Sequence, residues 1–275
     1  MKKIPLAFIG AGNMARSLIG GLIADGWDPA SISVSDPDPE QLAAVSRLFG
    51  TRSASDNMAA VEQSELVVLA VKPQVMPDVA RELAATVQAR RPLVISIAAG
   101  ICITDLDRWL GGGCALVRCM PNTPALVQSG ATAMFANPAV NDDQKALAES
   151  ILRAVGLALW VNDEARLDAV TALSGSGPAY FFLVIEALQE AGQSLGLDDK
   201  TARLLALQTA FGAAKMALES RDDAATLRHK VTSPGGTTEK ALAVLEQGGL
   251  RTLFNDALKA ACDRSRELAK QFGAK

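Results

Sequence analysis

The strongest indication of the fold is the segment Leu6-Ala-Phe-Ile-Gly-Ala-Gly-Asn-Met-Ala15. Its first four residues, Leu6–Ile9, form an uninterrupted apolar run, which is typical of a strand buried on both faces. Gly10-Ala11-Gly12-Asn13-Met14-Ala15 follows directly and leads into a helical pattern over Asn13–Asp25. A strand, a tight glycine turn and a helix in this order form the fingerprint of a dinucleotide-binding βαβ unit, here with alanine in the third glycine position.

The small residues of this turn have separate physical roles. Gly10 permits the tight turn, Gly12 lets the backbone approach a pyrophosphate, and Ala15 permits close packing of the helix on the sheet. The positive N-terminus of the helix attracts the phosphate groups. The alternative is a glycine turn in an α/β domain that has lost its nucleotide, with Asp36 merely capping a loop.

Asp36 stands at the end of the second predicted strand, about 20 residues after the glycine turn, where such units carry their ribose-binding acid. A carboxylate there accepts hydrogen bonds from a ribose 2′-hydroxyl and repels a 2′-phosphate, which favours NADH over NADPH. Ser35 beside it and a nearby Arg52 could still accommodate the phosphate. Both NADPH and NADH therefore remain candidate cofactors.

Outward from this unit, apolar runs of strand length alternate with helical patterns. The remaining predicted strands are Ile32–Val34, Leu66–Val71, Leu93–Ile97, Leu116–Met120, Ala131–Phe135 and Leu157–Val161. From about Asp163 onward, apolar residues recur only at helical spacing. The sequence predicts an α/β fold: an N-terminal Rossmann-type domain with a mostly parallel sheet over residues 1–162 and an all-helical domain over residues 163–275.

Composition and charge exclude several classes of protein. The 27 Lys and Arg residues against 30 Asp and Glu give a net charge of −3, which does not support nucleic-acid binding. Apolar residues make up 49% of the chain, enough for a sizeable core, but the longest apolar runs are strand-sized, so no membrane partner is expected. Four cysteines without a CxxC pair and a single histidine predict a cytoplasmic protein without a metal site.

Further motifs follow the predicted strands and occupy the helical half. They are Ala70-Val71-Lys72-Pro73, Ser96-Ile97-Ala98-Ala99-Gly100, Met120-Pro121-Asn122-Thr123-Pro124, Ser174-Gly175-Ser176-Gly177-Pro178-Ala179-Tyr180 and Val231-Thr232-Ser233-Pro234-Gly235-Gly236-Thr237-Thr238. In this order, the motifs resemble those of the pyrroline-5-carboxylate reductase family over nearly the whole chain. The resemblance implies reduction of 1-pyrroline-5-carboxylate to L-proline by NAD(P)H, the last step of proline biosynthesis, and a helical domain that interleaves with a partner subunit.

The resemblance also implies a set of cofactor-binding residues. It places Gly10, Gly12, Asn13 and Met14 at the pyrophosphate, Asp36 and Asn57 at the adenosine end, Ala70, Lys72 and Pro73 at the ribose or nicotinamide, and Pro121 and Asn122 beside the nicotinamide through backbone groups. Lys72 has the alternative of a solvated loop lysine. The family often carries a small hydroxyl residue where this chain has Asp36, so the family's preference for NADPH does not carry over directly.

The string Ser233–Thr238 precedes a predicted helix over Glu239–Glu246. Backbone amides of Gly236, Thr237 and Thr238, with the Ser233 hydroxyl, can converge there as a nest for the substrate carboxylate. The alternative is an ordinary turn with Thr237 as the helix cap.

The resemblance makes Ser233, Gly235, Gly236, Thr237 and Thr238 substrate-binding residues and Thr238 the catalytic residue, with its hydroxyl at the ring nitrogen. Threonine is too weak an acid to supply the proton itself. It would therefore relay a proton from water or orient a substrate that is already protonated.

Two other functions compete with this one. A 3-hydroxyacid dehydrogenase-like protein would carry an asparagine four residues after a helical lysine, but Lys215 is followed by Glu219. A non-catalytic nicotinamide-binding sensor would not need the Ser233–Thr238 string. Independently of the function, the apolar helical pattern over Leu204–Ala217 predicts burial against another subunit. A homodimer or a higher homo-oligomer of dimers is therefore expected.

Overall fold

The computed structural model describes residues 4–274 and contains one eight-stranded sheet. The strands, in chain order, are β1 Leu6–Ile9, β2 Ile32–Ser35, β3 Arg52–Ser53, β4 Leu66–Leu69, β5 Leu93–Ser96, β6 Leu116–Met120, β7 Gly130–Ala136 and β8 Gly156–Trp160. Their spatial order is β3-β2-β1-β4-β5-β6-β7-β8. The order reverses on either side of β1, which is the doubly wound arrangement of dinucleotide-binding sheets.

Helices connect the strands and make up the C-terminal part of the chain. They are α1 Asn13–Ala24, α2 Pro39–Phe49, α3 Asn57–Glu62, α4 Met76–Arg90, α5 Ile103–Trp109, α6 Asp142–Arg153, α7 Arg166–Val170, α8 Gly177–Ser194, α9 Asp199–Glu219, α10 Ala224–Lys230, α11 Thr237–Gln247 and α12 Leu250–Gly273. Several begin at a side chain that satisfies the free amides of the first turn. The Asp198 and Asp223 carboxylates, for example, accept the backbone N–H of Thr201 and Thr226.

The sheet is parallel except where β7 runs antiparallel to β6, so the prediction of a mostly parallel sheet is confirmed. The connection from Pro121 to Ser129 contains only a 3-10 turn over Thr123–Val127. It is too short for a crossover helix, which takes about a dozen residues or more, and the chain therefore returns antiparallel.

Side chains of the central strands alternate between two hydrophobic cores, one on each face of the sheet. Leu6 and Phe8 of β1 pack in the first core, and Ala7 and Ile9 pack in the second. All four residues are buried. This burial on both faces explains why the strand is an uninterrupted apolar run rather than an alternating one.

β3 was not predicted from the sequence. It has two residues, both exposed, and pairs through Ser33↔Arg52 and Val34↔Ser53 with β2 at the edge of the sheet. A two-residue polar edge strand carries no hydrophobic pattern, because only its backbone takes part in the sheet.

The chain packs as two compact units whose limits differ from the predicted domains 1–162 and 163–275. The first unit extends to Ser176 and resumes at Ala260, and the second runs from Gly177 to Lys259. The end of α12 belongs to the first unit because Phe272, 5% exposed, packs in the second core of the sheet. Helical spacing shows that these residues form a helix, but it does not show which core the helix packs against.

The second unit consists of α8–α11 and the first part of α12. All of its residues are described, and among them only Gly177, Ala202 and Ala206 are buried. Large apolar side chains are exposed instead, such as Phe181 at 68% and Phe182 at 65%. Exposed apolar surface on this scale is typical of a subunit interface.

Candidate functional site

The glycine turn after β1 has a backbone that only glycine adopts without strain. Gly10 has φ +103°, and a Cβ on it would lie 2.7 Å from the Ala70 carbonyl oxygen at the end of β4. The Gly10 N–H donates to the Ser35 carbonyl at 2.8 Å. Gly10 is therefore required both by its backbone conformation and by the close approach of the neighbouring strand.

Gly12 differs from Gly10 because neither its backbone conformation nor a neighbouring protein atom excludes a side chain at that position. Its φ is −68°, and a Cβ on it would have nothing within 4 Å. It is the N-cap residue of α1, and within residues 4–274 no side chain caps this helix and no acidic residue lies in its first turn. The amides of the first turn, with the open space over Gly12, fit the pyrophosphate of a dinucleotide.

Asp36 lies directly after β2 and reaches back to the glycine turn. Its Oδ2 accepts the Ala11 N–H at 2.7 Å, and its Oδ1 accepts the Asp38 N–H at 2.9 Å. Both carboxylate oxygens thus bind backbone amides of the protein itself. The sequence predicted this carboxylate as a partner of the ribose or, alternatively, as the cap of a loop; its bond to the glycine turn was not predicted.

Asn57 is brought to the same end of the sheet by α3. The Ser35 hydroxyl donates to Asn57 Oδ1 at 2.8 Å, and Asn57 Nδ2 donates to Glu82 Oε2 at 3.3 Å. The structure therefore places the Asn57 side chain beside Ser35 at the end of β2, one residue before Asp36.

The residues after β4 form a turn at the same carboxyl edge of the sheet. The Ala70 N–H donates to the Ile9 carbonyl at 2.8 Å, which joins this turn to β1. Lys72 is exposed, and its carbonyl accepts the Val75 N–H. Ligands of open α/β sheets bind beyond this edge. Ala70, Lys72 and Pro73 thus follow the strand beside the glycine turn.

Asn122 follows β6 and uses its side chain to join three segments of the first unit. Its Oδ1 accepts the Ala131 N–H at 2.8 Å, and its Nδ2 donates to the Ser174 carbonyl at 3.1 Å. Ser174 lies in a π-helical turn over Thr171–Gly175, a conformation common at functional sites. From the sequence, Pro121 and Asn122 were predicted to border the nicotinamide through backbone groups only. A lone asparagine gave no signal of this bridging contact.

The candidate substrate loop, Ser233–Thr238, lies in the second unit. The Gly236 N–H donates to the Ser233 carbonyl at 3.0 Å. The amide of Gly236 is thus engaged in this conformation, and its contact with the substrate stays a prediction. Gly236, not Thr237, is the N-cap of α11, and no described side chain caps it. The first-turn amides of Thr237 and Thr238 lie just after this uncapped end.

Glu239 is a further loop contact that sequence reasoning missed. Its Oε2 accepts the Gly235 N–H at 2.8 Å. The spacing gave a signal, since a glutamate three residues after the N-cap commonly reaches back to the start of its helix.

The single histidine, His229, lies in α10. Among residues 4–274, no group of three or more His, Cys, Asp or Glu side chains is placed to hold a metal ion.

Comparisons with known proteins cover both parts of the chain. Residues 164–268 match the family model for pyrroline-5-carboxylate reductase dimerisation, and residues 5–100 match the model for NADP oxidoreductase, coenzyme F420-dependent. The pyrroline-5-carboxylate reductase of Pseudomonas aeruginosa is 52% identical over 268 residues, which is 98% of each chain.

Solved structures agree with these matches. A pyrroline-5-carboxylate reductase from Coxiella burnetii has a TM-score of 0.94 at 49% identity, covering 98% of this chain and 99% of that chain. The pyrroline carboxylate reductase of Plasmodium falciparum, solved with NADP bound, has a TM-score of 0.86 at 30% identity, with 98% and 99% covered.

The sheet order and the glycine turn define a Rossmann-type dinucleotide-binding protein, and the family and sequence matches make it an oxidoreductase. Within that class, the chain belongs to the pyrroline-5-carboxylate reductase family.

Proposed function

We propose that this protein reduces 1-pyrroline-5-carboxylate to L-proline with NADPH or NADH, the last step of proline biosynthesis. The observation that carries the proposal is the 52% identity to a pyrroline-5-carboxylate reductase over 98% of the chain. Such identity extends over both the glycine turn and the Ser233–Thr238 loop. The two competing functions, a hydroxyacid dehydrogenase and a cofactor sensor, explain neither this coverage nor the second loop.

The reaction converts a carbon–nitrogen double bond into a single bond. A bound reduced nicotinamide supplies a hydride to the imine carbon, and the ring nitrogen gains a proton to become the secondary amine of proline. The protein must therefore hold the cofactor, bind one carboxylate and direct a hydrogen bond to the nitrogen.

Cofactor binding rests on the first unit. Gly10, Gly12, Asn13 and Met14 would hold the pyrophosphate, Asp36 and Asn57 the adenosine end, and Ala70, Lys72, Pro73, Pro121 and Asn122 the ribose and nicotinamide. The open space over Gly12 and the uncapped first turn of α1 support the first of these assignments. The free amides of that first turn are hydrogen-bond donors, which favour a ligand with several negatively charged oxygen acceptors.

Substrate binding would rest on the Ser233–Thr238 loop, which runs into the first turn of α11. The amides of Thr237 and Thr238 and the Ser233 hydroxyl would hold the carboxylate, while Gly235 and Gly236 shape the turn. Thr238 would place its hydroxyl at the ring nitrogen. Positioning the imine carbon about 3–3.5 Å from the hydride donor would then supply much of the rate.

For the assembly, we infer a homodimer, or a higher oligomer of dimers, formed through residues of the domain 163–275. The second unit buries only Gly177, Ala202 and Ala206, all small, which is too little to stabilise a helical unit by itself. Within the helical stretch Arg166–Ser194, one 18-residue window has the length and mean hydropathy, 1.2, of a membrane span, and 11% of that window is buried. A second subunit can bury the apolar surface of this helical stretch, so the surface does not require a bilayer.

A cytoplasmic location is part of the same proposal. Cys102, Cys114, Cys119 and Cys262 are all free thiols, as is usual in a reducing compartment.

The experiment that tests the function follows the loss of reduced nicotinamide absorbance with 1-pyrroline-5-carboxylate, separately for NADPH and NADH at equal concentrations and neutral pH. Turnover that yields proline in equal amount to oxidised cofactor is expected. Cofactor binding without turnover would support the sensor. If the imine is not turned over, but a 3-hydroxyacid reduces NAD+ or NADP+ in a parallel assay, the dehydrogenase would be supported.

A further inference from the structure

We propose that Glu239 is a positioning residue for the substrate, because its carboxylate fixes the turn that presents the carboxylate-binding amides. The proposal rests on the proposed function of the Ser233–Thr238 loop.

Two hydrogen bonds define the shape of this turn. The Gly236 N–H donates to the Ser233 carbonyl at 3.0 Å and closes the turn from within. The Gly235 N–H donates to Glu239 Oε2 at 2.8 Å and ties the turn to the first helical turn of α11. The two consecutive amides are thereby drawn inward, whereas the amides of Thr237 and Thr238 follow at the helix N-terminus.

Gly235 shows why the second bond matters. Its φ is +72°, in the left-handed region, yet a Cβ on it would have nothing within 4 Å. No crowding by neighbouring atoms therefore holds this residue in place, and glycine has the widest choice of backbone conformations. The bond to Glu239 is the contact that selects one of them.

Packing against neighbouring side chains contributes little to the order of the loop. Ser233, Pro234, Gly235 and Thr237 are exposed, and Gly236 and Thr238 are only partly buried. An exposed loop without apolar contacts loses its order easily, because burial offers nothing to offset its conformational entropy. The order of the loop must therefore come from hydrogen bonds, and the bond to a carboxylate is the stronger of the two kinds present.

The negative charge of Glu239 works against its geometric role. A carboxylate close to an anion-binding loop repels the substrate carboxylate. A glutamine in its place retains an oxygen acceptor for the Gly235 N–H and removes the charge. Geometry and charge can therefore be separated by substitution.

The test compares Glu239→Gln, which keeps the acceptor, with Glu239→Ala and Glu239→Met, which remove it. Glu246→Ala is the matched control, since it removes the same charge from the same helix where the carboxylate pairs with Arg251 at 2.8 Å. The assay uses 1-pyrroline-5-carboxylate as the substrate and measures the substrate KM, the cofactor KM and kcat of each variant. Helix content is checked by circular dichroism.

Loss of a hydrogen bond to a charged group should raise the substrate KM about 5- to 50-fold in Glu239→Ala and Glu239→Met. The cofactor KM should stay within about twofold in all variants, because the cofactor does not depend on this loop. Glu239→Gln should match or improve on the wild-type substrate KM, and Glu246→Ala should match it.

The proposal is overturned if Glu239→Gln is as impaired as Glu239→Ala, or if both keep the wild-type substrate KM. An equal rise in both KM values would mean a general loss of structure and would also overturn it. If the wild-type protein itself turns over no 1-pyrroline-5-carboxylate, the proposed function fails, which is a distinct result. If Glu239→Ala folds poorly, the comparison of Glu239→Met with Glu239→Gln decides.

Discussion

Asp36 Oδ2 accepts the backbone N–H of Ala11 at 2.7 Å, and this bond joins the end of β2 to the middle of the glycine turn. The other oxygen of the carboxylate accepts the Asp38 N–H. Asp36 is therefore a part of the cofactor loop's own structure as well as a candidate partner for the ribose. A carboxylate held by two backbone amides is oriented before any ligand arrives.

Asp36→Ala should lower kcat/KM for both NADH and NADPH, by about 10- to 100-fold, because it removes a charge-assisted hydrogen bond that shapes the glycine turn. Steady-state kinetics with each cofactor measures the effect. Asp38→Ala, which removes a neighbouring carboxylate that caps α2, is the control and should leave both values within about threefold. If kcat/KM fell with NADH but rose with NADPH, Asp36 would act only in discriminating between the two cofactors.

Thr238→Ala should lower kcat/KM for the imine substrate by roughly 10- to 10³-fold, within or below the usual range for general acid–base assistance. The hydroxyl positions the ring nitrogen, so Thr238→Ser should retain most of the activity. Initial rates with both variants provide the measurement. A change of less than about twofold in Thr238→Ala would remove the residue from its assigned role.

The Arg118–Glu164 pair is a structural element of the first unit. Arg118 Nη1 lies 2.8 Å from Glu164 Oε1, and the side chains are 6% and 22% exposed. The same Glu164 oxygen accepts the Ile103 N–H at 2.8 Å, so it joins β6 to the start of α5.

Glu164→Ala should lower the free energy of unfolding by about 3–5 kcal/mol, because it removes the carboxylate that neutralises the buried Arg118 guanidinium. The double variant Arg118→Met with Glu164→Met should recover most of this loss, since it buries no charge. Urea denaturation measures both. If Glu164→Ala costs less than about 1 kcal/mol, as exposed pairs do, the pair is not structural.

The Cys119 thiol in β6 makes the stability of the folded protein depend on pH. It is 1% exposed, and burial raises its pKa far above the ordinary value of 9.0. The unfolded chain therefore loses this proton at lower pH than the folded chain does. Stability from this group is complete below about pH 9 and declines as the pH rises above the pKa of the unfolded thiol.

Urea midpoints between about pH 7 and pH 10.5 should fall more steeply in the wild type than in Cys119→Ala, which lacks the thiol. Burial also raises the pKa of Cys102 and Cys114, so some decline should persist in the variant. Equal slopes in the two proteins would show that Cys119 does not contribute.

The local features of this fold could be predicted from the amino-acid sequence. The apolar run Leu6–Ile9 and the glycine turn behind it predicted the first βαβ unit, because strand burial and a tight turn depend on side chains close together in the chain. Family motifs in both halves indicated the reductase family, and the homologues agree. The same motifs predicted Asp36, Asn122 and the Ser233–Thr238 loop as site residues.

The contact partners of those residues could not be predicted and became visible in the three-dimensional structure. The direction of the Asp36 carboxylate toward Ala11, the bridge from Asn122 to Ser174, and the packing of Phe272 in the core of the sheet all join segments far apart in the chain. Within the substrate loop, the engagement of the Gly236 amide depends on one particular backbone conformation among those glycine can adopt. Residue types limit which contacts can form, but hydrogen-bond direction and long-range packing depend on the three-dimensional arrangement of the whole unit.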